Sequence, residues 1–182
     1  MNKGIRASSG DVVGFINSDD VYASTSAIKR VAKEFKDPSV MGCYGDLCYL
    51  DKKEGSRLVR YWKSSQFVPR LFLDGWSPPH PTFFVRRSVY DHYGGFDLRY
   101  RIAADVELMI RFLEKYSIHV VYIPEILVNM RLGGRTNESL KNVILQNKEI
   151  WNALKQHDLN PSIYRFFFQK LISRCKQFIT TP

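Results

Sequence analysis

The sequence has 182 residues, a length typical of one domain or of a domain followed by a helical tail. Hydrophobic residues make up 45% of it and aromatic residues 14%, which excludes a disordered, collagen-like or low-complexity protein. The formal net charge of +9 predicts a surface that attracts phosphates, anionic lipid headgroups or nucleic acid, and the charge alone does not choose among them.

The cysteines and the hydropathy of the sequence indicate the compartment and the solubility of the protein. Cys43, Cys48 and Cys175 form neither a disulfide framework nor a zinc-ligand pattern, so we expect a reducing, cytoplasmic compartment. The longest apolar runs, such as residues 12–16, are far too short to span a bilayer, and the N-terminus has no signal-peptide core. The sequence therefore predicts a soluble protein, with peripheral contact to the inner face of the plasma membrane left open.

The predicted elements alternate between strands and helices, which indicates an α/β fold. Strands are predicted over residues 12–16, 41–50, 57–62, 82–85 and 118–123, the last of them ending at Pro124. Helices are predicted over residues 24–35, 104–115 and 140–154, with a short helix before Gly94 and another after Pro161.

Beyond Gly133 and Gly134, the predicted elements are helices only, whereas strands and helices alternate before them. We therefore divide the chain into an α/β portion, residues 1–135, and a helical, basic C-terminal extension, residues 136–182. In the extension, basic side chains interleave with apolar ones around the run of three phenylalanines at 166–168. This run is expected to pack against the preceding helix, and docking on anionic lipid is the alternative. Nucleic-acid binding is not expected, because no recognition motif accompanies the basic charge.

The strongest candidate site is the turn Asn17-Ser18-Asp19-Asp20, directly after a buried strand. Ligands of open α/β sheets bind at the carboxyl ends of strands, and neighbouring carboxylates there can hold Mg²⁺ or Mn²⁺ beside substrate phosphates. An Asx-turn that only caps the next helix is the alternative.

A second pair of carboxylates lies at the start of the helix predicted from residue 104. Asp105 and Glu107 are two positions apart, so they point in different directions around the helix and need separate roles. A carboxylate near a sugar hydroxyl can act as a general base, whereas a carboxylate at a helix start is more often a cap.

Two loops complete the candidates. His80 lies between Pro79 and Pro81 in a stiff segment that suits a binding surface, although a lone histidine is more often structural. Arg131 and Arg135 flank a flexible turn whose positive charge suits contact with phosphate.

Six motifs follow one another along the chain: Asn2-Lys3-Gly4-Ile5, Gly10-Asp11, Asn17-Ser18-Asp19-Asp20, His80-Pro81-Thr82-Phe83-Phe84, Gly94-Gly95-Phe96-Asp97 and Ala103-Ala104-Asp105-Val106-Glu107-Leu108. Taken in this order, they resemble the family 2 glycosyltransferases of bacterial polysaccharide biosynthesis. The resemblance covers about residues 1–135. It implies a GT-A mixed sheet flanked by helices, a nucleotide-diphosphate sugar donor, a divalent metal cofactor (Mn²⁺ or Mg²⁺), a glycan or lipid-linked acceptor, and inversion of the anomeric centre.

The resemblance also implies roles for individual residues. Asn17-Ser18-Asp19 matches the Asp-x-Asp motif, with asparagine in place of the first aspartate, so Asp19 and Asp20 are expected to bind the metal. Asn17 and Ser18 are expected to contact the donor. Asp105 matches the catalytic base that deprotonates the acceptor hydroxyl. The expected acceptor contacts are His80, Glu107 and Arg131.

The resemblance further implies that the first strands and helices of the fold, which carry the donor's base and ribose, are missing. We therefore expect weak or absent turnover by the chain alone and an exposed sheet edge. A noncatalytic acceptor-binding or scaffolding remnant is the main alternative, and a basic membrane-surface protein is a third.

Overall fold

A computed structural model of the protein describes residues 1–51, 57–131 and 139–179. Six strands of these residues form one mixed sheet: β1 (Val12–Val13), β2 (Val21–Tyr22), β3 (Gly42–Leu50), β4 (Leu58–Trp62), β5 (Phe84–Arg86) and β6 (Val120–Arg131). The helices are α1 (Asn2–Ala7), α2 (Ala27–Glu34), α3 (Arg87–Tyr93), α4 (Ala104–Ile110), α5 (Leu140–Gln156) and α6 (Ile163–Ile179).

The centre of the sheet is the parallel pair of β3 and β6. The strand order is β1-β5-β3-β6-β2, with β4 also paired to β3, and every pairing except that of β3 with β6 is antiparallel. Residues 42–49 of β3 are all buried, as expected for a strand covered on both faces. The predicted mixed sheet and the predicted hairpin of β3 and β4 are thereby confirmed.

The strand predicted to end at Pro124 continues to Arg131, so this boundary was wrong. Ile123 pairs with Gly45 and Ile126 pairs with the next residue, Asp46, which leaves Pro124 and Glu125 as a bulge. Proline has no N–H group to donate to a neighbouring strand. A β-bulge tolerates this loss because its residues are not paired in the ladder of hydrogen bonds. The extra length carries Arg131 beyond the bulge, toward the turn that follows β1.

The first predicted strand is shorter than expected. Only Val12 and Val13 pair with β5, and the chain leaves the ladder at Gly14. A Cβ atom on Gly14 would lie 2.4 Å from the ring of Phe84, so the close approach of that ring requires glycine. The segment that leads to the Asn17 turn is therefore held by packing rather than by strand pairing.

Two of the motifs behind the resemblance meet in space. The Asn2 side chain donates to the carbonyl of Phe96 over 2.8 Å and accepts from the N–H of Phe96, also over 2.8 Å. Ile5, one turn further along α1, is buried in the main core. Helix α1 is thus fastened to the Gly94-Gly95 loop by paired hydrogen bonds and by burial.

Helices α5 and α6 contribute to the same core as the sheet. Ile150, Leu154 and Phe166 are buried in one cluster with residues of α4 and the sheet. The boundary between residues 135 and 136 lies outside the described residues. Packing of the phenylalanine run is confirmed for Phe166, whereas the side chains of Phe167 and Phe168 are 46% and 63% exposed.

Within the described ranges, we find no helix with the length and hydropathy that crossing a membrane requires.

Candidate active site

A cavity of about 1090 Å³ opens between the sheet and helices α4, α5 and α6. Its lining includes six residues predicted from the sequence: Asn17, Ser18, Asp19, His80, Asp105 and Arg131. Asp20 and Glu107 are not part of that lining. The adjoining turn with Gly133, Gly134 and Arg135 lies outside the described residues. The structure therefore brings most of the predicted site into one hollow.

The two neighbouring aspartates differ in orientation. Asp19 is exposed at the cavity, whereas Asp20 is 7% exposed. The Asp20 carboxylate accepts hydrogen bonds from the Asn17 side chain at 2.7 Å and from the Arg131 backbone N–H at 3.3 Å. Burial raises the pKa of Asp20 although both hydrogen bonds act to lower it. Asp20 thus ties the turn to the end of β6, whereas the carboxylate of Asp19 remains exposed at the cavity.

Asp105 presents an unsatisfied oxygen to the cavity. It is the second residue of α4, as predicted, and among the described residues no hydrogen-bond partner reaches its buried Oδ1 atom. The Nδ1 atom of His80 and the Nε1 atom of Trp76, on two other lining residues, are also buried without a described partner. Buried polar atoms are normally paired with protein groups or ordered water, so these three atoms are free to hydrogen-bond a polar ligand that enters the hollow.

His80 is held between two aromatic rings. Phe15 stacks on it with ring centroids 6.0 Å apart, and Phe96 meets it edge-on at the same distance. Burial lowers the pKa of His80, and the negative charge of Asp105 acts in the opposite direction. With its pKa below the usual value, His80 is neutral at pH 7. It can therefore offer a ring N–H or a lone pair to a ligand but no positive charge.

Glu107 has a structural role, which replaces the predicted acceptor contact. The side chain is 1% exposed, and it accepts hydrogen bonds from Arg111 and from His157 Nε2, each at 2.9 Å. Burial raises the pKa of Glu107, but these hydrogen bonds and charges outweigh burial and hold the pKa below its usual value. Arg111 also donates to the carbonyls of Gly94 and Gly95. Glu107 thus secures the loop that presents Phe96 to His80.

The segment before Asp105 is anchored by Glu149 of helix α5, which the sequence did not suggest. Its carboxylate accepts hydrogen bonds from the backbone N–H groups of Arg101 at 3.0 Å, Ile102 at 2.9 Å and Ala103 at 2.8 Å. Helix α4 begins one residue later. Helix α5 therefore fixes the start of the helix that carries the candidate base.

The lining also contains residues that the sequence did not single out. They include Tyr49, Arg60, Trp62 and Trp76 from the β3–β4 side and Lys170, Arg174 and Gln177 from α6. The spacing of 170, 174 and 177 places those three side chains on one helix face, a signal present in the sequence. Arg60 and Trp76 carried no such signal, because long-range packing alone brings them to the cavity.

A divalent cation fits this donor set. No group of three or more His, Cys, Asp or Glu residues that could hold a metal occurs in the part of the chain that the structure describes. Mg²⁺-like sites in transferases use one or two carboxylates, retain waters and take their other ligands from substrate phosphates. A site of this kind needs only one or two carboxylates from the protein, and the exposed carboxylate of Asp19 can supply one.

Comparison with known proteins supports a sugar transferase. No family model matches the chain. The PGL/p-HBAD biosynthesis glycosyltransferases of Mycobacterium bovis and Mycobacterium tuberculosis are 27% identical over 140 residues, 75% of this chain and 52% of each relative. Another glycosyltransferase of Mycobacterium tuberculosis, described as uncharacterized, is 32% identical over 115 residues, 61% of this chain and 42% of the relative.

Solved structures agree on the fold. The crystal structure of Staphylococcus aureus TarS 1–349 in complex with UDP superposes with a TM-score of 0.55 at 13% identity, covering 90% of this chain and 45% of TarS. The fold is therefore that of a GT-A-type glycosyltransferase, and the resemblance to such enzymes is confirmed. The chain spans about half the length of the curated relatives it matches.

Proposed function

We propose that this chain transfers a sugar from a nucleotide-diphosphate donor to a hydroxyl group of a glycan or lipid-linked acceptor, with inversion at the anomeric carbon. The observation that carries the proposal is the shared cavity of Asp19 and Asp105, which come from separate elements of the fold. The relatives named as glycosyltransferases and the UDP held by TarS support the same reading. The free cysteines favour a cytoplasmic site for the reaction.

In the proposed reaction, Asp105 accepts the proton of the acceptor hydroxyl. The hydroxyl oxygen then bonds to the anomeric carbon on the face opposite the diphosphate. The bond from that carbon to the diphosphate oxygen breaks, and the electron pair leaves with the nucleotide. Asn17, Ser18, His80 and Arg131 all line the cavity. In this proposal, Asn17 and Ser18 bind the donor, and His80 and Arg131 bind the acceptor. A divalent cation held by Asp19 would neutralise the diphosphate charge.

Replacing Asp19 with asparagine tests the donor assignment. We expect the variant to bind UDP with Mn²⁺ at least about tenfold more weakly than the wild type, because it loses the exposed carboxylate that faces the cavity. Isothermal titration measures this difference directly.

The matched control is Asp20→Asn. Since the Asp20 carboxylate is occupied by Asn17 and Arg131, this variant should lose thermal stability and retain more UDP–Mn²⁺ affinity than Asp19→Asn. Equal affinity in the wild type and Asp19→Asn would reject the metal assignment, and no binding by the wild type would reject the donor assignment.

The outer face of α6 supports a proposal of peripheral membrane contact. Tyr164, Phe168 and Leu171 are 88%, 63% and 64% exposed, and their spacing places them on one side of the helix. The basic side chains of this helix that the structure describes point elsewhere: Arg165 pairs with Asp74, and others line the cavity. The proposed contact is therefore mainly apolar.

Sedimentation with phosphatidylglycerol vesicles tests this contact. We expect the wild type to sediment and the double variant Phe168→Glu/Leu171→Glu to remain largely in solution, because two charges would enter the apolar face. Ile144→Glu, which alters an exposed residue on α5, is the control. A wild-type protein that does not sediment would reject the membrane proposal.

A further inference from the structure

The aromatic rings that line the cavity differ in how much of their surface stays accessible. The phenylalanine, tyrosine and tryptophan residues of the described lining are Tyr49, Trp62, Phe72, Trp76 and Phe166. Tyr49, Phe72 and Phe166 are 8%, 1% and 0% exposed, so they belong to the core. Trp62 is partly exposed, but the guanidinium of Arg60 lies over its ring, 5.5 Å from the centroid. Trp76 is also partly exposed, and its described ring contacts are with other aromatic rings.

These aromatic neighbours hold the indole of Trp76 in place. The ring centroid of Phe72 lies 5.4 Å away, that of Phe67 5.8 Å away and that of Tyr44 6.0 Å away. Tyr44 is fixed in turn, because its hydroxyl donates to the carbonyl of Ser65 over 2.8 Å. Since a tryptophan side chain has few rotatable bonds, this packing leaves the part of the ring that lines the cavity preorganised for contact.

The backbone around Trp76 is fixed as well. Gly75, directly before it, has a φ of +70°, in the left-handed region that favours glycine, and a Cβ atom there would lie 2.8 Å from the Cβ of Lys170 on α6. His80 follows later in the same segment, at most about 14 Å along the chain from Trp76, and it lines the cavity too. The indole and His80 thus belong to one wall of the cavity.

Packing in the core does not explain why residue 76 is a tryptophan. Its Nε1 atom is buried, and none of the residues that the structure describes accepts a hydrogen bond from it. A buried donor without a partner is unfavourable for folding, and phenylalanine would fill most of the same space without that donor. A residue that breaks such a rule is expected where function requires it. The large indole surface at the cavity is the feature that phenylalanine would reduce.

A sugar ring has a surface that complements this wall. The hydroxyl groups of a pyranose lie around the edge of the ring, whereas C–H groups cover much of its two faces. A face of this kind gains dispersion contact and loses little hydration when it lies on a flat aromatic ring. The hydroxyl groups then remain available to polar residues of the same cavity, which include Asp19 and Asp105.

We propose that the indole ring of Trp76 binds a substrate sugar by stacking against a C–H face of its pyranose ring. This inference rests on the proposed sugar transfer, which brings two sugars to the cavity: that of the nucleotide donor and the terminal sugar of the acceptor. Both present the same kind of face, so they share the chemistry that the indole recognises. Trp76 is thereby a specificity-determining residue of the proposed reaction.

Two substitutions separate the ring from its N–H group. Trp76→Leu removes the aromatic surface, whereas Trp76→Phe keeps a ring and removes the N–H group. Titration calorimetry with Mn²⁺ compares UDP with UDP-glucose and UDP-N-acetylglucosamine, and saturation-transfer NMR measures binding of maltose and cellobiose. We expect Trp76→Leu to weaken binding of the sugar nucleotides or of the disaccharides about fivefold or more, and Trp76→Phe to stay within about threefold of the wild type.

The two groups of probes identify which sugar the ring contacts. A loss confined to the sugar nucleotides assigns Trp76 to the sugar of the donor, and a loss confined to the disaccharides assigns it to the acceptor. Binding of UDP itself should not change. Equal losses of UDP and of the sugar nucleotides in Trp76→Leu would overturn the proposal, because the ring would then serve the nucleotide or the fold.

Trp151→Leu is the matched control. Trp151 is partly buried against the same core as Trp76, and it is not part of the described cavity lining. Both leucine variants should therefore lower the melting temperature, and only Trp76→Leu should lose affinity for sugars. A similar loss of sugar binding in both variants would show a general effect of destabilisation and would reject stacking on Trp76.

Failure of this inference is distinguishable from failure of the proposed function. Trp76→Leu that binds every probe as well as the wild type would overturn stacking and leave sugar transfer standing, and so would equal losses in Trp76→Leu and Trp76→Phe. A wild-type protein that binds disaccharides through Trp76 but does not bind UDP would reject the donor assignment and leave stacking standing. A wild-type protein that binds none of the sugar probes would overturn stacking.

Discussion

Replacing Asp105 with asparagine is expected to reduce sugar transfer by about 10²–10⁴-fold without unfolding the protein. Asparagine has almost the same shape as aspartate, but its amide cannot accept the hydroxyl proton. We expect the carboxylate of Asp105, whose buried Oδ1 atom has no described partner, to accept this proton in the wild type. Release of nucleotide diphosphate from a panel of nucleotide sugars, with and without acceptor, measures the effect.

The control variant is Asp91→Asn, which changes an exposed aspartate on α3 and should retain wild-type turnover. Equal turnover by Asp105→Asn and the wild type would contradict the catalytic role. A wild-type protein that binds UDP and acceptor but shows no turnover would favour the noncatalytic acceptor-binding or scaffolding alternative.

His80 provides a readout of the same variant that does not depend on turnover. The negative charge of Asp105 raises the pKa of His80 against the effect of burial. Asp105→Asn removes that charge, so the imidazolium form loses stabilisation and the pKa of His80 should fall further. A titration of the His80 ring by NMR would detect the downward shift, and an unchanged pKa would contradict the effect of the Asp105 charge on His80.

Local patterns predicted much of this architecture. The amphipathic stripe over residues 104–115 is a signal within a short window, and the chain is helical there, as the α-helix α4 to Ile110 and as a π-helical turn from Arg111 to Lys115. Strands β3 and β4 also pair as the sequence predicted. The end of β6 was missed because Pro124 usually stops a strand, whereas here the bulge opposite Gly45 and Asp46 absorbs its missing N–H. The outcome depended on a pairing partner far away in the chain.

In the candidate site, too, local sequence patterns predicted some features, and others depended on tertiary contacts. The sequence could predict that Asp19 and Asp105 share a cavity, because acidic residues at the ends of elements have a recognisable local context. The roles of Glu107 and Asp20 could not, since a sequence does not show which donors will face a carboxylate after folding. Glu107 meets His157 and Asp20 meets the backbone of Arg131, and in both cases tertiary contacts turn an acidic residue away from the cavity.

The second large effect is expected from substitution of Glu149, and it is an effect on stability. Replacing it with alanine is expected to lower the free energy of unfolding by about 3 kcal/mol, because the N–H groups of residues 101–103 lose their charged acceptor in a partly buried segment. Glu149→Gln keeps one acceptor oxygen and should cost about half as much. Denaturant unfolding followed by circular dichroism measures both changes.

Replacing Glu149 should also slow sugar transfer, because residues 101–103 lead directly into the helix that carries Asp105. Displacement of a general base by about 1 Å can lower a rate by about 10²-fold, so folded Glu149→Gln should be about 10- to 100-fold slower than the wild type. Lys148→Ala, one residue earlier and exposed, should change neither quantity appreciably. A Glu149→Ala protein with wild-type stability would show that α5 does not anchor the site, and the base would then owe its position to the rest of the core.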